Sequence, residues 1–270
     1  MIFICPKCQE KFNIEEGRAV CKNKHSFDKS RHGYYNLLLD SSRKIHGDNK
    51  QMVLARRAFL SRDFYRPLAE RVAALVLEHT KVGGVVLDAG CGEGYYTDIV
   101  ERALFSRDGE SRAYAFDISK DAVREAGKKN PRISLAVAGS YHMPIAAESV
   151  DTVINTFSPL ARDEVYRILK RRGTFIMAIP GEEHLYDLKA VIYDSPYKNE
   201  VADTRLEGFE LLSDIPVCYT MTLENQNDIS TLFEMTPYAY RTRPENKERV
   251  YRLGTLSCRA DFRIFAYRKL

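Results

Sequence analysis

Two periodicities run along this chain and divide it. Between residues 50 and 80 apolar side chains recur at helical spacing, first Met52, Ala55, Phe59 and Leu60, then Leu68, Val72, Leu75, Val76 and Leu77. This spacing predicts two amphipathic helices. The first presents Arg56 and Arg57 to solvent; the second starts near Asp63 to Tyr65, with Pro67 in its first turn, where a missing amide removes no helical bond. From residue 85 onward short apolar runs alternate with helix-like segments. Val85–Leu87, Ala113–Phe116, Ile133–Val137, Val150–Phe157 and Gly173–Pro180 read as strands. Segments opening at Tyr96, Ser119 and Arg162 read as the helices between them, the last running to Lys170, Arg171 and Arg172, whose cations suit a negative helix end. Alternation of this kind predicts a doubly wound, Rossmann-like α/β sheet. Two more strands, near 211–223 and 258–267, are expected to close it as an antiparallel hairpin, and 224–250 shows no readable pattern apart from 235–241. The polar stretch 40–49, with Gly47 and no periodicity, reads as a linker and hinge. The expected organisation is a small N-terminal unit at 1–40, a linker and helix at 41–62, and an α/β domain at 63–270.

Composition narrows the class. With 270 residues, 44% hydrophobic and 29% charged, and only 15 Gly and 10 Pro, the chain is globular and neither disordered nor fibrous. No apolar run approaches the roughly 20 residues needed to span a bilayer. The N-terminus carries Cys5 and Lys7 where a secretory signal would be apolar, so a soluble, cytoplasmic protein is expected. The net charge of +4 is unevenly placed: residues 1–50 hold ten Lys/Arg against six Asp/Glu, and the remainder balances. A basic appendage on a neutral body suits a polyanionic partner, and it suits a merely solvated face about as well.

That appendage contains Cys5, Cys8, Cys21 and His25, spaced C-x2-C-x12-C-x3-H. Two close pairs of soft or borderline ligands fit a tetrahedral zinc ion, and four protein ligands leave no position for an activated water, so the zinc is read as structural. Gly17 lets the chain reverse between the pairs. Phe3, Phe12, Ile14, Val20 and Phe27 are too few to hold some 40 residues without a metal. Free or disulfide-linked cysteines are the competing reading, disfavoured by the expected compartment. On this platform Lys22, Lys24, Lys29, Arg31 and His32, with Tyr34 and Tyr35 behind them, offer the mixture of cations and aromatics that a phosphate backbone and unstacked bases require.

The first strand of the sheet ends in Asp88 and runs into Ala89-Gly90-Cys91-Gly92-Glu93-Gly94-Tyr95. Its glycines fall as G-x-G-x-G, unlike the G-x-G-x-x-G of a dinucleotide turn. An acid at its mouth would repel a pyrophosphate but suits the amino group of S-adenosylmethionine (SAM). Gly90, Gly92 and Gly94 then permit close backbone approach to the ligand. The D-x-G-C-G-x-G run resembles motif I of the class I SAM-dependent methyltransferases. Asp117, ending the second strand, is placed to accept ribose hydroxyls, with a helix cap as its alternative role. Ser140 and Tyr141 follow the third strand where this fold flanks adenine, with Met143 as an apolar wall. Cys91 reads as a small packed residue.

The fourth strand runs into Phe157, Ser158 and Pro159, beside which related enzymes bind the methyl acceptor; these three are the substrate-side candidates. The sequence departs here from the Asn/Asp-Pro-Pro-Tyr motif of exocyclic-amine methyltransferases and has no Pro-Cys pair for carbon-5 methylation. Tyr65, just ahead of the second helix, is either core or a cap on the cofactor pocket. His184, after the fifth strand, faces the same crevice or is an ordinary surface histidine; it is a weak candidate for a general base, and the catalytic residue is otherwise unassigned.

Together with the zinc cluster, the segments Ala55–Leu60, Tyr65–Leu68, Gly90–Thr97, Gly181–Leu185 and Met235–Arg241 make the chain similar, nearly end to end, to the bacterial 23S ribosomal RNA guanine-N1 methyltransferases of the RlmA type. The resemblance implies SAM-dependent methylation of guanine N1 in a 23S hairpin loop. It matches Cys5, Cys8, Cys21 and His25 to zinc ligands of an RNA-gripping unit, and Tyr65, Gly92, Glu93 and His184 to cofactor contacts. It also implies a homodimer whose two zinc units frame an RNA cleft. Methylation of a small molecule or protein, and a non-catalytic role in ribosome assembly, are the alternatives.

Overall fold

The computed structural model describes residues 1–39, 47–201 and 203–270; the linker positions 40–46 lie outside the described residues. The chain opens with three short strands, β1 (Phe12–Glu15), β2 (Arg18–Cys21) and β3 (Ser26–Asp28), in one antiparallel sheet. Glu16 and Gly17 join the first two at φ +46° and +81°, the paired left-handed geometry of a tight two-residue hairpin. Next, β4 (Tyr34–Asn36) leaves this sheet and pairs in parallel with β7 (Ser134–Val137) at the edge of the large one.

Two helices follow, α1 (Lys50–Leu60), capped by the Asn49 side chain, and α2 (Arg66–His79), with its proline in the first turn. The large sheet is built from β5 (Val85–Ala89), β6 (Arg112–Asp117), β7, β8 (Val150–Thr156), β9 (Leu169–Pro180), β10 (Phe209–Leu223) and β11 (Leu256–Lys269). With β4 its order is β10-β11-β9-β8-β5-β6-β7-β4. All pairings from β9 to β4 are parallel; β11 lies antiparallel to β9, and β10 to β11. The doubly wound sheet with an antiparallel C-terminal hairpin is thus present.

Strand alternation sorts the core onto two faces. Val86, Ile154 and Ile176 point to the face covered by α1, α2 and α3 (Tyr95–Arg107), whereas Leu87, Val153 and Phe175 point to the face covered by α5 (Arg162–Ile168) and the N-terminal residues Ile2 and Phe3. A third cluster sits under α4 (Lys120–Lys129). The stretch 224–250 folds as α7 (Gln226–Glu234), α8 (Tyr238–Arg241) and α9 (Pro244–Tyr251), after α6 (Tyr186–Ile192), and adds Ile229, Leu232, Phe233 and Val250 to the first face.

The N-terminal unit is docked on the body. Ile4 donates to the Pro144 carbonyl at 2.9 Å, Ala146 donates to Ile2 at 3.0 Å, and Phe3 meets Tyr114 edge-on at 5.6 Å. On α4, a Cβ at Gly127 would lie 2.1 Å from the His32 carbonyl oxygen, so a mid-helix glycine is what admits this turn.

Three expectations are corrected. Tyr34 and Tyr35, read as RNA-facing aromatics, are buried at 5% and 7% exposure because their strand completes the large sheet. Lys170–Arg172 do not end a helix: Leu169 is buried opposite Val150, so the chain passes directly from α5 into β9, and Lys170 pairs with Asp151 at 2.6 Å. Arg56, expected in solvent, is turned inward, paired with Asp48.

Candidate functional site

The four zinc-ligand candidates converge. Their donor atoms all lie within 4.8 Å of one another. Cys5 Sγ is 3.4 Å from His25 Nδ1, Cys8 Sγ 3.6 Å from Cys21 Sγ, and Cys21 Sγ 3.5 Å from His25 Nδ1. Ligands about 2.3 Å from a tetrahedral zinc are separated by about 3.8 Å, so this donor set fits the ion. Each pair sits on a tight turn: Gln9 donates to the Cys5 carbonyl at 2.7 Å and Lys24 to the Cys21 carbonyl at 2.9 Å, both with φ +61°. These two left-handed residues bend the backbone so that both side chains of each pair reach one point.

At the carboxyl end of β5, Gly90, Gly92 and Gly94 hold φ values of +90°, +55° and +80°, a conformation costly for other residues. Gly90 and Cys91 both donate to the Phe116 carbonyl, at 2.9 and 3.0 Å, tying the turn to β6. Burial pushes the Cys91 thiol well above its ordinary range, consistent with a packed, unreactive residue. Asp88 lies 2% exposed beneath the turn. Thr97 donates to its Oδ2 at 2.5 Å, while Oδ1 has no partner. Burial pushes this carboxyl up to about 7.

Asp117 accepts from the Gly92 amide at 2.9 Å and the Ser119 amide at 2.8 Å. The cap of α4 is Ser119, not Asp117. Asp117 therefore braces the glycine turn against the next loop, with lone pairs remaining on both oxygens; burial raises its carboxyl. Glu93 is buried beside Lys129, 3.5 Å away. A single 3₁₀ turn carries Ser140 and the exposed Tyr141, with Met143 buried behind them.

A cavity of about 510 Å³ reaches Gly90, Asp117 and the Ser140–Tyr141 turn, whereas Asp88, Gly92, Glu93 and Gly94, and likewise Tyr65, Phe157 and His184, are not among its lining residues. Gly90, Asp117 and Ile118, the Gly139–Pro144 loop, and Ser158 and Pro159 line it, and Cys5, Pro6 and Gln9 of the metal turn border it as well. Ser158 presses on the glycine turn: a Cβ at Gly90 would lie 2.1 Å from its Oγ. Asn155 steadies the next residue through a 3.4 Å bond to the Pro159 carbonyl. Phe157 has φ +60°, unusual for a bulky side chain, and is 41% exposed. Strain of that sort collects at functional sites.

Beside Phe157 stands an aromatic group. Its ring lies nearly parallel to His184 at 6.5 Å, and Tyr96 and Phe262 flank it at 6.3 and 5.5 Å. Tyr65 is buried against the same group, its hydroxyl 3.3 Å from His184 Nε2. His184 Nδ1 accepts the Asp261 amide at 3.4 Å. Burial, with Lys189 nearby, lowers this imidazole to about 3, so it is neutral at physiological pH, and both ring nitrogens are engaged. His184 is 8% exposed and so is not a surface histidine.

The pairing of Arg56 with Asp48 has no counterpart among the sequence expectations. Arg56 lies three residues from Val53 and from Phe59, both buried, so its place on the inner helical face was available from spacing alone.

Among the described residues, no helix is long and apolar enough to cross a membrane. A family model described as RlmA, N-terminal, matches residues 3–39, and one described as Methyltransferase domain matches residues 86–173. YxjB of Bacillus subtilis (strain 168), provisionally named a 23S rRNA (guanine-N(1)-)-methyltransferase, is 32% identical over 253 residues, covering 88% of this chain and 87% of that protein. The 23S rRNA (guanine(748)-N(1))-methyltransferase of Streptomyces fradiae is 34% identical over 187 residues, 68% of this chain and 65% of that protein. A Micromonospora griseorubida protein with the same provisional activity in its name is 30% identical over 263 residues, 89% of this chain and 87% of its own.

Proposed function

Since the chain belongs to the family of 23S rRNA guanine-N1 methyltransferases, we propose that it transfers the methyl group of SAM to N1 of a guanine in a 23S rRNA hairpin loop. One observation carries this reading. Gly90 of the glycine turn, two residues after Asp88 with its unpartnered oxygen, lines a cavity that the metal-held turn also borders. Cofactor end and nucleic-acid end thus share one wall.

In this reading Asp88 Oδ1 receives the cofactor's ammonium, directly or through a water. Asp117 receives the ribose, and Ser140, Tyr141 and Met143 flank the adenine. Gly90, Gly92 and Gly94 let the backbone close on the ligand, and Tyr65, Glu93 and His184 complete its surroundings. When bound, SAM supplies a methyl group already activated as a sulfonium, so the protein mainly aligns and dehydrates. A guanine extruded from its loop is placed beside Ser158 and Pro159 with Phe157 as stacking surface. Guanine N1 must lose its proton. A histidine held neutral with both nitrogens occupied is poorly suited to take it, so His184 is assigned to positioning and no general base is named.

The unit at 1–40 binds one structural zinc through Cys5, Cys8, Cys21 and His25, and its exposed cations Lys22, Lys24, Lys29 and Arg31 meet phosphates. Residues 63–270 carry the transfer. The enzyme works in the cytoplasm as a homodimer, a state the family resemblance supports. The test is methylation of protein-free 23S rRNA by purified protein and SAM. Appearance of 1-methylguanosine in the nucleoside digest is expected, and its absence despite measured SAM binding would redirect the activity to another acceptor.

A further inference from the structure

SAM carries three charged groups, and the site described so far answers only two of its demands. Asp88 suits the ammonium and Asp117 the ribose, but the methionine carboxylate would enter beside Asp117, with the buried carboxyls of Asp88 and Glu93 close by. Without a cation there, burying a further carboxylate would be strongly unfavourable. Among the described residues, Lys129 and Arg56 approach the turn. Lys129 is engaged with Glu93.

The other is Arg56. Its side chain is 28% exposed, and its guanidinium reaches from α1 over the glycine turn: a Cβ built on Gly92 would lie 3.9 Å from Arg56 Nη1, with no other heavy atom of the described residues beyond its chain neighbours within 4 Å of that point. The space above Gly92 is therefore open backbone roofed by one guanidinium. Its partner is Asp48, through Nη1. Asp48 in turn accepts the Ser119 hydroxyl at its carbonyl, 3.0 Å away, and directly precedes the Asn49 cap of α1. A guanidinium has five donors in a planar fork that matches a carboxylate, and Asp48 accounts for one of them.

We propose that Arg56 is the binding partner of the SAM carboxylate, and that this carboxylate competes with Asp48 for it. The proposal rests on the reading that the crevice takes SAM. It makes the first helix part of the cofactor site and links cofactor binding to the end of the segment that leads from the metal-bearing unit.

Calorimetric titration of the full-length zinc-loaded protein with SAM and with decarboxylated SAM isolates the carboxylate, since both ligands keep the sulfonium and ammonium. Wild type is expected to prefer SAM by at least tenfold. Arg56→Ala should lose that preference, binding SAM at least tenfold more weakly and decarboxylated SAM no more weakly than wild type does, because a cation facing a cation has been removed. Asp48→Asn, which removes the competitor and leaves the guanidinium, should bind SAM more tightly. Equal loss of both ligands in Arg56→Ala, an unchanged preference, or weaker SAM binding by Asp48→Asn would overturn the proposal. Should wild type bind neither ligand, the cofactor reading itself fails, which is a different result from these.

Discussion

Asp88 is where binding and stability pull in opposite directions, and Asp88→Asn separates them. The folded protein holds this carboxyl near 7 against 3.8 for the free group. The folded state therefore keeps a proton that the unfolded state has released, and stability should fall as pH rises from about 4 to 7. At about 1.4 kcal/mol per pKa unit, three units amount to about 4 kcal/mol. Asparagine cannot ionise and escapes this penalty, but its amide leaves a buried donor where Oδ1 has no partner, a cost of about 1–3 kcal/mol. The variant should thus be more stable than wild type at pH 8 by about 1–3 kcal/mol and show a flatter pH dependence, as read by urea unfolding at pH 6 and 8. It should also bind SAM at least tenfold more weakly, having lost the counter-ion of the ammonium. In wild type at slightly acidic pH, SAM binding should release a proton from this carboxyl, visible as buffer-dependent heat. An Asp88→Asn protein less stable than wild type at pH 8, with an unchanged pH slope, would refute the reasoning.

Other perturbations follow from the same geometry. Gly90→Ala forces a Cβ to within 2.1 Å of Ser158 Oγ at φ +90° and should abolish detectable SAM binding by calorimetry; adding Ser158→Gly removes the collision but not the backbone strain of about 1–2 kcal/mol, so recovery should be partial. His184→Ala should weaken SAM binding, while turnover at saturating SAM keeps the wild-type pH profile from 6 to 9, because an imidazole lowered to about 3 does not titrate there; a limb lost from that profile would restore the base role. Cys21→Ser should release zinc and lower rRNA methylation more than a hundredfold, yet change SAM affinity only a few-fold, since Asp88, the glycine turn and Asp117 stand on the large sheet; joint loss of both bindings would contradict this.

How far the chain could be read follows from how local each signal is. The buried parallel strands are apolar runs and the glycine turn is backbone geometry written in residue type, so both were visible. The metal ligands are a spacing. By contrast β4 is three residues long, and nothing in Tyr34-Tyr35-Asn36 says that it joins β7, a hundred residues away. The cations at 170–172 are compatible with a helix end, and only the pairing of Leu169 with Val150 decides otherwise. Helices α7 to α9 are short, so a helical period has barely one or two turns in which to show; Ile229, Leu232 and Phe233 form a single buried step. The charge of Arg56 points to solvent, whereas its spacing from Val53 and Phe59 turns it inward.

The most direct measurement is mass spectrometry of nucleosides from protein-free 23S rRNA incubated with purified protein and SAM carrying a deuterated methyl group. Labelled 1-methylguanosine, from one position in the RNA and absent with the Gly90→Ala variant, is the expected result. Label on another nucleoside, or none from protein that retains SAM, would contradict the assignment.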